Sequence, residues 1–363
     1  MAIRILLLGA SILCMLSCGP TGNAPRPVSL TPATAPGPST EEIRQLVQKI
    51  EGYSERETDV PVTTPADSAA AELTRIGKPV APYLLEALKS TKPWARVHSM
   101  EILASLREAA AVQPMLTILK QDPDHGVRPI AAYNLGSFHD PAALPDLRAA
   151  ARSKDINMAR SAWHSLGEMK DEGSIPLLVE RLGTKASFPH TGLTTDPYPI
   201  EALVAIGLPA VKPLGIALKH RRGEAQRSAA IALGQIGSDA AFETLKESSK
   251  SPSSRRAAFA GLFDCKREEI KPIAIEALKD QELVLDAEEY LTHHPDLASA
   301  QPLIRILDGR YPESVRIGAA TALGHMRGKS VVDALKRNRH DPSHYVRVAI
   351  VESLARLGES TRY

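Results

Sequence analysis

The chain has 363 residues and a nearly balanced charge, 44 Lys and Arg against 42 Asp and Glu, with no clustered basic run to meet a nucleic-acid backbone. Apolar residues make up 43% and aromatics only 4%, which speaks against a large β-sandwich and for a core of Ala, Leu, Ile and Val that lets helices approach closely. Of the three cysteines, Cys14 and Cys18 sit in the N-terminal apolar segment, which leaves Cys265 without an intramolecular disulfide partner in the folded part.

From the N-terminus, residues 1–4 carry one positive charge and residues 5–16 form an apolar run. About a dozen residues is too short for an ordinary membrane span of roughly 20, and it has the length of a secretory signal core. The run ends in Met15-Leu16-Ser17-Cys18, followed by Gly19. This resembles a bacterial lipoprotein signal, although Leu16 stands where Ala or Ser is usual. The resemblance implies cleavage after Ser17 and a lipid on Cys18. Gly19, in place of Asp, implies the periplasmic face of the outer membrane; an ordinary cleaved signal peptide is the competing reading. Pro20, Pro25, Pro27, Pro32, Pro36 and Pro38 then alternate with small and hydroxyl residues, and Arg26 is the only charge. Such a segment cannot bury a core and reads as an extended tether. The expected organisation is a signal over 1–17, a lipidated tether over 18–40 and a folded region over 41–363.

The folded region repeats itself. Val127-Arg128, with Leu135-Gly136 closing the phrase, returns as Val315-Arg316 with Leu323-Gly324 and as Val346-Arg347 with Leu354-Ala355. A second phrase alternates with it, marked by Pro82, Pro114, Pro145, Pro176, Pro213, Pro272 and Pro302, mostly 30 to 32 residues apart. Proline fits a helix without a kink only in its first turn, so each proline is expected to start a helix. Apolar residues at i, i+3, i+4 and i+7 make both phrases helical. Ser39 with Glu42 three residues later is a capping box for the first helix. That helix, at 41–52, pairs with 67–77 across an inserted loop at 53–66. These phrases resemble the HEAT repeat family, in particular its short bacterial lyase-like subtype. The resemblance implies an all-α fold: a right-handed α-solenoid of about ten two-helix repeats. It also implies that Arg96, Arg128, Arg316 and Arg347 form a structural ladder with aspartates of neighbouring turns.

Against this regular background, departures carry the functional information. Residues 184–199 insert about 14 residues with three prolines and contain Phe188, His190 and Tyr198. Insertions in solenoids map to one face, often the binding face. Five residues after the Arg position runs a row that includes Glu101, Tyr133 and His164, with Trp94 and Trp163 close by. Aromatic anchors of this kind dominate binding surfaces. The chain lacks a phosphate loop, a nucleophile elbow, a His-Glu-x-x-His motif and any His-Glu dipeptide. The expectation is a membrane-tethered scaffold without enzymatic activity, catalytic residues, metal or cofactor. It would bind a protein or peptide, and no nucleic acid, along its concave face through Trp94, Glu101, Tyr133, Trp163, His164, Phe188, His190 and Tyr198. Two alternatives stand beside it: a lyase-like enzyme with a site near the 184–199 loop, and a structural subunit of an envelope complex.

Overall fold

The computed structural model describes residues 38–51, 65–188, 193–265, 267–280 and 282–359. The signal, Cys18, most of the tether and residues 53–64 of the expected 53–66 insertion lie outside them, while Pro65 and Ala66 already open helix α2 (Pro65–Ile76). Two compact units divide the chain, up to Asp146 and from Leu147 onward, with the boundary inside helix α7 (Leu144–Ala150).

In the first unit α1 (Thr40–Glu51) pairs with α2 (Pro65–Ile76), α3 (Ala81–Ala87) with α4 (Pro93–Ser105), and α5 (Val112–Gln121) with α6 (Val127–Leu135). The second helices stack on one another, α2 on α4 and α4 on α6. The capping box forms as its residues require. Ser39 N donates to Glu42 Oε2 at 2.6 Å and Glu42 N to Ser39 Oγ at 3.2 Å, and the bond from the Ser39 backbone holds the Glu42 carboxyl below its usual range.

In the second unit α8 (Ile156–Glu168) precedes α9 (Ile175–Arg181), which pairs with α10 (Tyr198–Ile206). The pairing continues as α11 (Leu208–His220) with α12 (Gly223–Ile236), α13 (Asp239–Ser249) with α14 (Arg255–Asp264), and α15 (Ile270–Ala277) with α16 (Val284–His293). It ends as α17 (Ala300–Asp308) with α18 (Glu313–Leu323) and α19 (Lys329–Arg337) with α20 (His344–Arg356). Here the second helices α8, α10, α12, α14, α16, α18 and α20 pack side by side without a break. Each unit is thus an α-solenoid run in which every repeat buries its apolar face on its neighbours. The closing residues of the repeat phrase, Leu103 and Leu135 in the first unit and Leu166, Ile206, Leu233, Leu262, Leu291, Leu323 and Leu354 in the second, are all buried. Each such side chain contributes about 1.5–3 kcal/mol of burial.

Two expectations need correction. Six of the seven marker prolines sit in the first turn, but Pro213 lies inside α11. Before α3, α5, α7, α9 and α17 a short 3-10 turn precedes the helix. At α11 the residues from Leu208 onward are already α-helical, after Gly207 as N-cap at φ +81, a backbone conformation that favours glycine, and with Pro209 in the first turn. The marker proline is therefore displaced inward. The second correction concerns the 184–199 insertion, expected as an irregular loop: β1 (Lys185–Phe188) and β2 (Leu193–Thr195) pair antiparallel, Lys185 opposite Thr195 and Phe188 opposite Leu193. Phe and Thr favour strands, and Pro197 falls after β2, where it costs no ladder bond.

Candidate functional site

The polar framework comes first, because it fixes how the second helices are presented. Asp122, Asp196, Asp280 and Asp341 each stand in the turn before a second helix. Each accepts a backbone N–H two residues on, from Asp124, Tyr198, Glu282 and Ser343 at 2.8–3.2 Å. The same carboxylates receive an arginine from the preceding repeat or helix. Arg96 grips Asp122 with Nε and Nη2 at 2.7 Å each, both partners buried. Arg160 Nε reaches Asp196 at 2.7 Å, Arg255 reaches Asp280 at 3.3 Å, and Arg316 reaches Asp341 at 2.9 Å. Arg128 and Arg347 instead donate to the backbone carbonyls of Asp122 and Asp341. Gln226 stands at this position in α12 and bridges the Leu218 and Ser253 carbonyls. Arg160 and Arg255, which join aspartates in the same way, escaped the sequence reading because the phrase around them is degenerate.

On this framework the candidate binding residues fall into two separate groups. In the first unit Trp94, His98 and Glu101 follow one face of α4: the two rings lie 6.3 Å apart, and His98 Nδ1 is 3.5 Å from Glu101 Oε2. Glu101 is exposed, while Trp94 and Tyr133 are half-buried on the open sides of α4 and α6. In the second unit His164 is half-buried on α8 with its Nε2 4.0 Å from Glu168. Tyr198 begins α10 under the Arg160 guanidinium, 5.7 Å from the ring centroid. The pair Arg160–Asp196 therefore pins the C-terminal root of the hairpin to α8.

Trp163 does not belong to either surface. It is 1% exposed and its Nε1 donates to the Ala151 carbonyl at 3.0 Å. It stands at a position filled by Ala132 in α6 and Ala230 in α12, both buried, and the larger ring is accommodated as core with its one polar atom satisfied. Phe188 lies in β1, with its side chain outside what is described, and His190 falls outside the described residues.

Three other features bear on chemistry. His293 Nδ1 and His294 Nδ1 lie 2.8 and 2.9 Å from the carbonyls of Glu289 and Tyr290 on their own helix, and the His294 ring stacks on Tyr290 at 4.4 Å. Among the described residues no group of three or more His, Cys, Asp or Glu side chains is placed to hold a metal ion. Cys265 is buried, and burial pushes its thiol up to about 11, away from the thiolate a nucleophile needs.

The repeats match the family model described as HEAT repeats over residues 66–136, 112–189 and 300–362, just over half of the chain. The chain belongs to the HEAT repeat family. Residues 225–251 match a second model, described as PBS lyase HEAT-like repeat. No curated protein matches the sequence. Among solved structures, human deoxyhypusine hydroxylase in complex with glycerol is 19% identical, over 88% of this chain and 96% of that one, with a TM-score of 0.30. The complex of CpcE and CpcF of phycocyanin lyase from Nostoc sp. PCC7120 is 19% identical, over 84% and 98%, with a TM-score of 0.35. Karyopherin Kap121p bound to the extreme C-terminus of the protein phosphatase Cdc14p is 16% identical, over 89% of this chain but only 42% of its own length, with a TM-score of 0.49. At these identities the likeness is one of fold.

The expectation that the chain is not an enzyme is corrected by these findings. Residues 225–251, over α12 and α13, match a HEAT-like repeat model named for a lyase. A HEAT array is therefore no argument against catalysis.

Proposed function

We propose that this HEAT array is a scaffold, tethered to a bacterial envelope membrane by a lipid on Cys18, that binds a protein or peptide along the face of its second helices. The observation that carries the reading is the side-by-side packing of those helices, each turning one stripe of side chains to solvent. Trp94, Glu101 and Tyr133 lie on this face in the first unit, and His164 and Tyr198 in the second. Half-buried aromatics held by neighbours supply contact area at low entropic cost. The signal-like residues 1–17, Cys18 and the proline-rich tether support the anchor, and Gly19 supports the periplasmic face of the outer membrane.

Photocrosslinking in cells tests the binding face. A photoreactive residue at Tyr133 or His164 should give a discrete adduct that the same residue at Gln113, exposed on first helix α5, does not. Equal adducts at all three positions, or none, would defeat the proposal. Cys18→Ser should move the protein from the membrane to the soluble fraction; unchanged retention would defeat the anchor.

A further inference from the structure

The last three second helices carry side chains of matched type at matched positions. The buried residues Ala287, Ala319 and Ile350, and again Leu291, Leu323 and Leu354, set the register of α16, α18 and α20. In that register Leu285, Ile317 and Val348 occupy one position, Glu289, Thr321 and Glu352 the position four residues on, and His293, His325 and Arg356 the position four further. On a helix these positions share a face. Leu285 is 74% exposed, Val348 40% and Ile317 half-buried. Tyr345, 65% exposed, lies one turn before Val348 and lengthens the apolar row on α20. Lone exposed apolar side chains are ordinary; three in register on packed neighbouring helices form a band.

We infer that this face binds a cationic, extended peptide in the polyproline II conformation, with an apolar residue at every third position. This rests on the scaffold reading above and names the class of its partner. Packed helices stand about 8–10 Å apart, so a chain crossing them meets an apolar contact at that interval. A polyproline II helix rises about 3.1 Å per residue with three residues per turn, and so returns an identical side chain every ~9.3 Å on one side. The periods agree without bending either partner. Charge decides the rest of the sequence. Glu289 and Glu352 are exposed and flank the apolar band, so Lys or Arg in each triplet is drawn to them. The band ends at α14, where Arg256 takes the position of Leu285 and pairs with Asp286 at 3.7 Å, which repels a further cationic triplet.

The test uses the full chain in detergent and fluorescent peptides read by anisotropy. The probes are (Leu-Pro-Lys)4, an isomer of the same composition with its leucines clustered, and (Leu-Pro-Glu)4. The first should bind at least tenfold more tightly than the other two. Leu285→Ser with Val348→Ser should weaken it about tenfold, and Glu289→Lys with Glu352→Lys should transfer preference to (Leu-Pro-Glu)4. All four positions are exposed, and circular dichroism checks that the variants stay folded. Equal binding of the three peptides, tighter binding of the acidic one, no binding, or indifference to both variants would overturn the inference. A crosslinked partner insensitive to these variants would leave the scaffold reading standing and remove only this subsite.

Discussion

Arg96 and Asp122 show what a single repeated residue does in this fold. Two buried groups of opposite charge meet through two bonds of 2.7 Å, and the carboxylate also caps its own turn. Removing one partner strands the other. Asp122→Ala is expected to cost about 3–5 kcal/mol, whereas Arg96→Leu with Asp122→Leu recovers much of that loss, because buried pairs replaced by apolar residues are often neutral. Urea unfolding of the three proteins measures both numbers; a loss below ~1 kcal/mol for Asp122→Ala would deny the pair its structural weight. His325 makes the opposite case. Burial, then Arg356 and His293, hold its imidazole below the usual histidine range. The unfolded chain therefore binds the proton more readily, and stability falls as pH drops below the ordinary histidine pKa toward the lowered folded value. His325→Gln should flatten that slope in melting temperatures measured between pH 7 and 5.

At the scale of helices, α12 and α14 cross closely at two glycines. A Cβ added to Gly234 would lie 2.2 Å from the Gly261 carbonyl oxygen, and one added to Gly261 would lie 2.2 Å from that of Ala230. Backbone cannot yield as a flexible side chain can, so Gly261→Leu should lose at least about 1–3 kcal/mol through overpacking, read as a lower urea midpoint. The repeat phrase made such helices legible: Leu-Gly after Ala-Ala marks a buried leucine and a close approach. It could not place α11, whose marker proline sits inside the helix because the preceding turn is α rather than 3-10. Nor did it reveal the β1–β2 pair within the insertion, strands of four and three residues set by local pairing rather than by the repeat. Trp163, expected on the binding face, is core for a physical reason as well. Core and groove positions on a second helix are adjacent, and only the neighbouring turn, with its Ala151 carbonyl, decides which one the indole fills.

Across the whole molecule, a solenoid is stabilised by contacts between neighbouring repeats, so perturbations stay local unless the array unfolds as one. The chain has only two tryptophans, and they report on different units: Trp94 on the first, Trp163 on the second. Trp94→Phe leaves the buried indole as a probe of the second unit, and Trp163→Phe leaves the half-buried one as a probe of the first. Asp122 belongs to the first unit, while the Gly234–Gly261 crossing belongs to the second. In the Trp163→Phe background, Asp122→Ala should lower the urea midpoint reported by Trp94. In the Trp94→Phe background, the same substitution should leave the Trp163 midpoint within the scatter of distant, uncoupled sites, about 0.3–0.5 kcal/mol. Gly261→Leu should do the reverse. If either substitution moves both midpoints equally, the two units unfold as a single cooperative body, and stability is then shared along the whole array rather than held repeat by repeat.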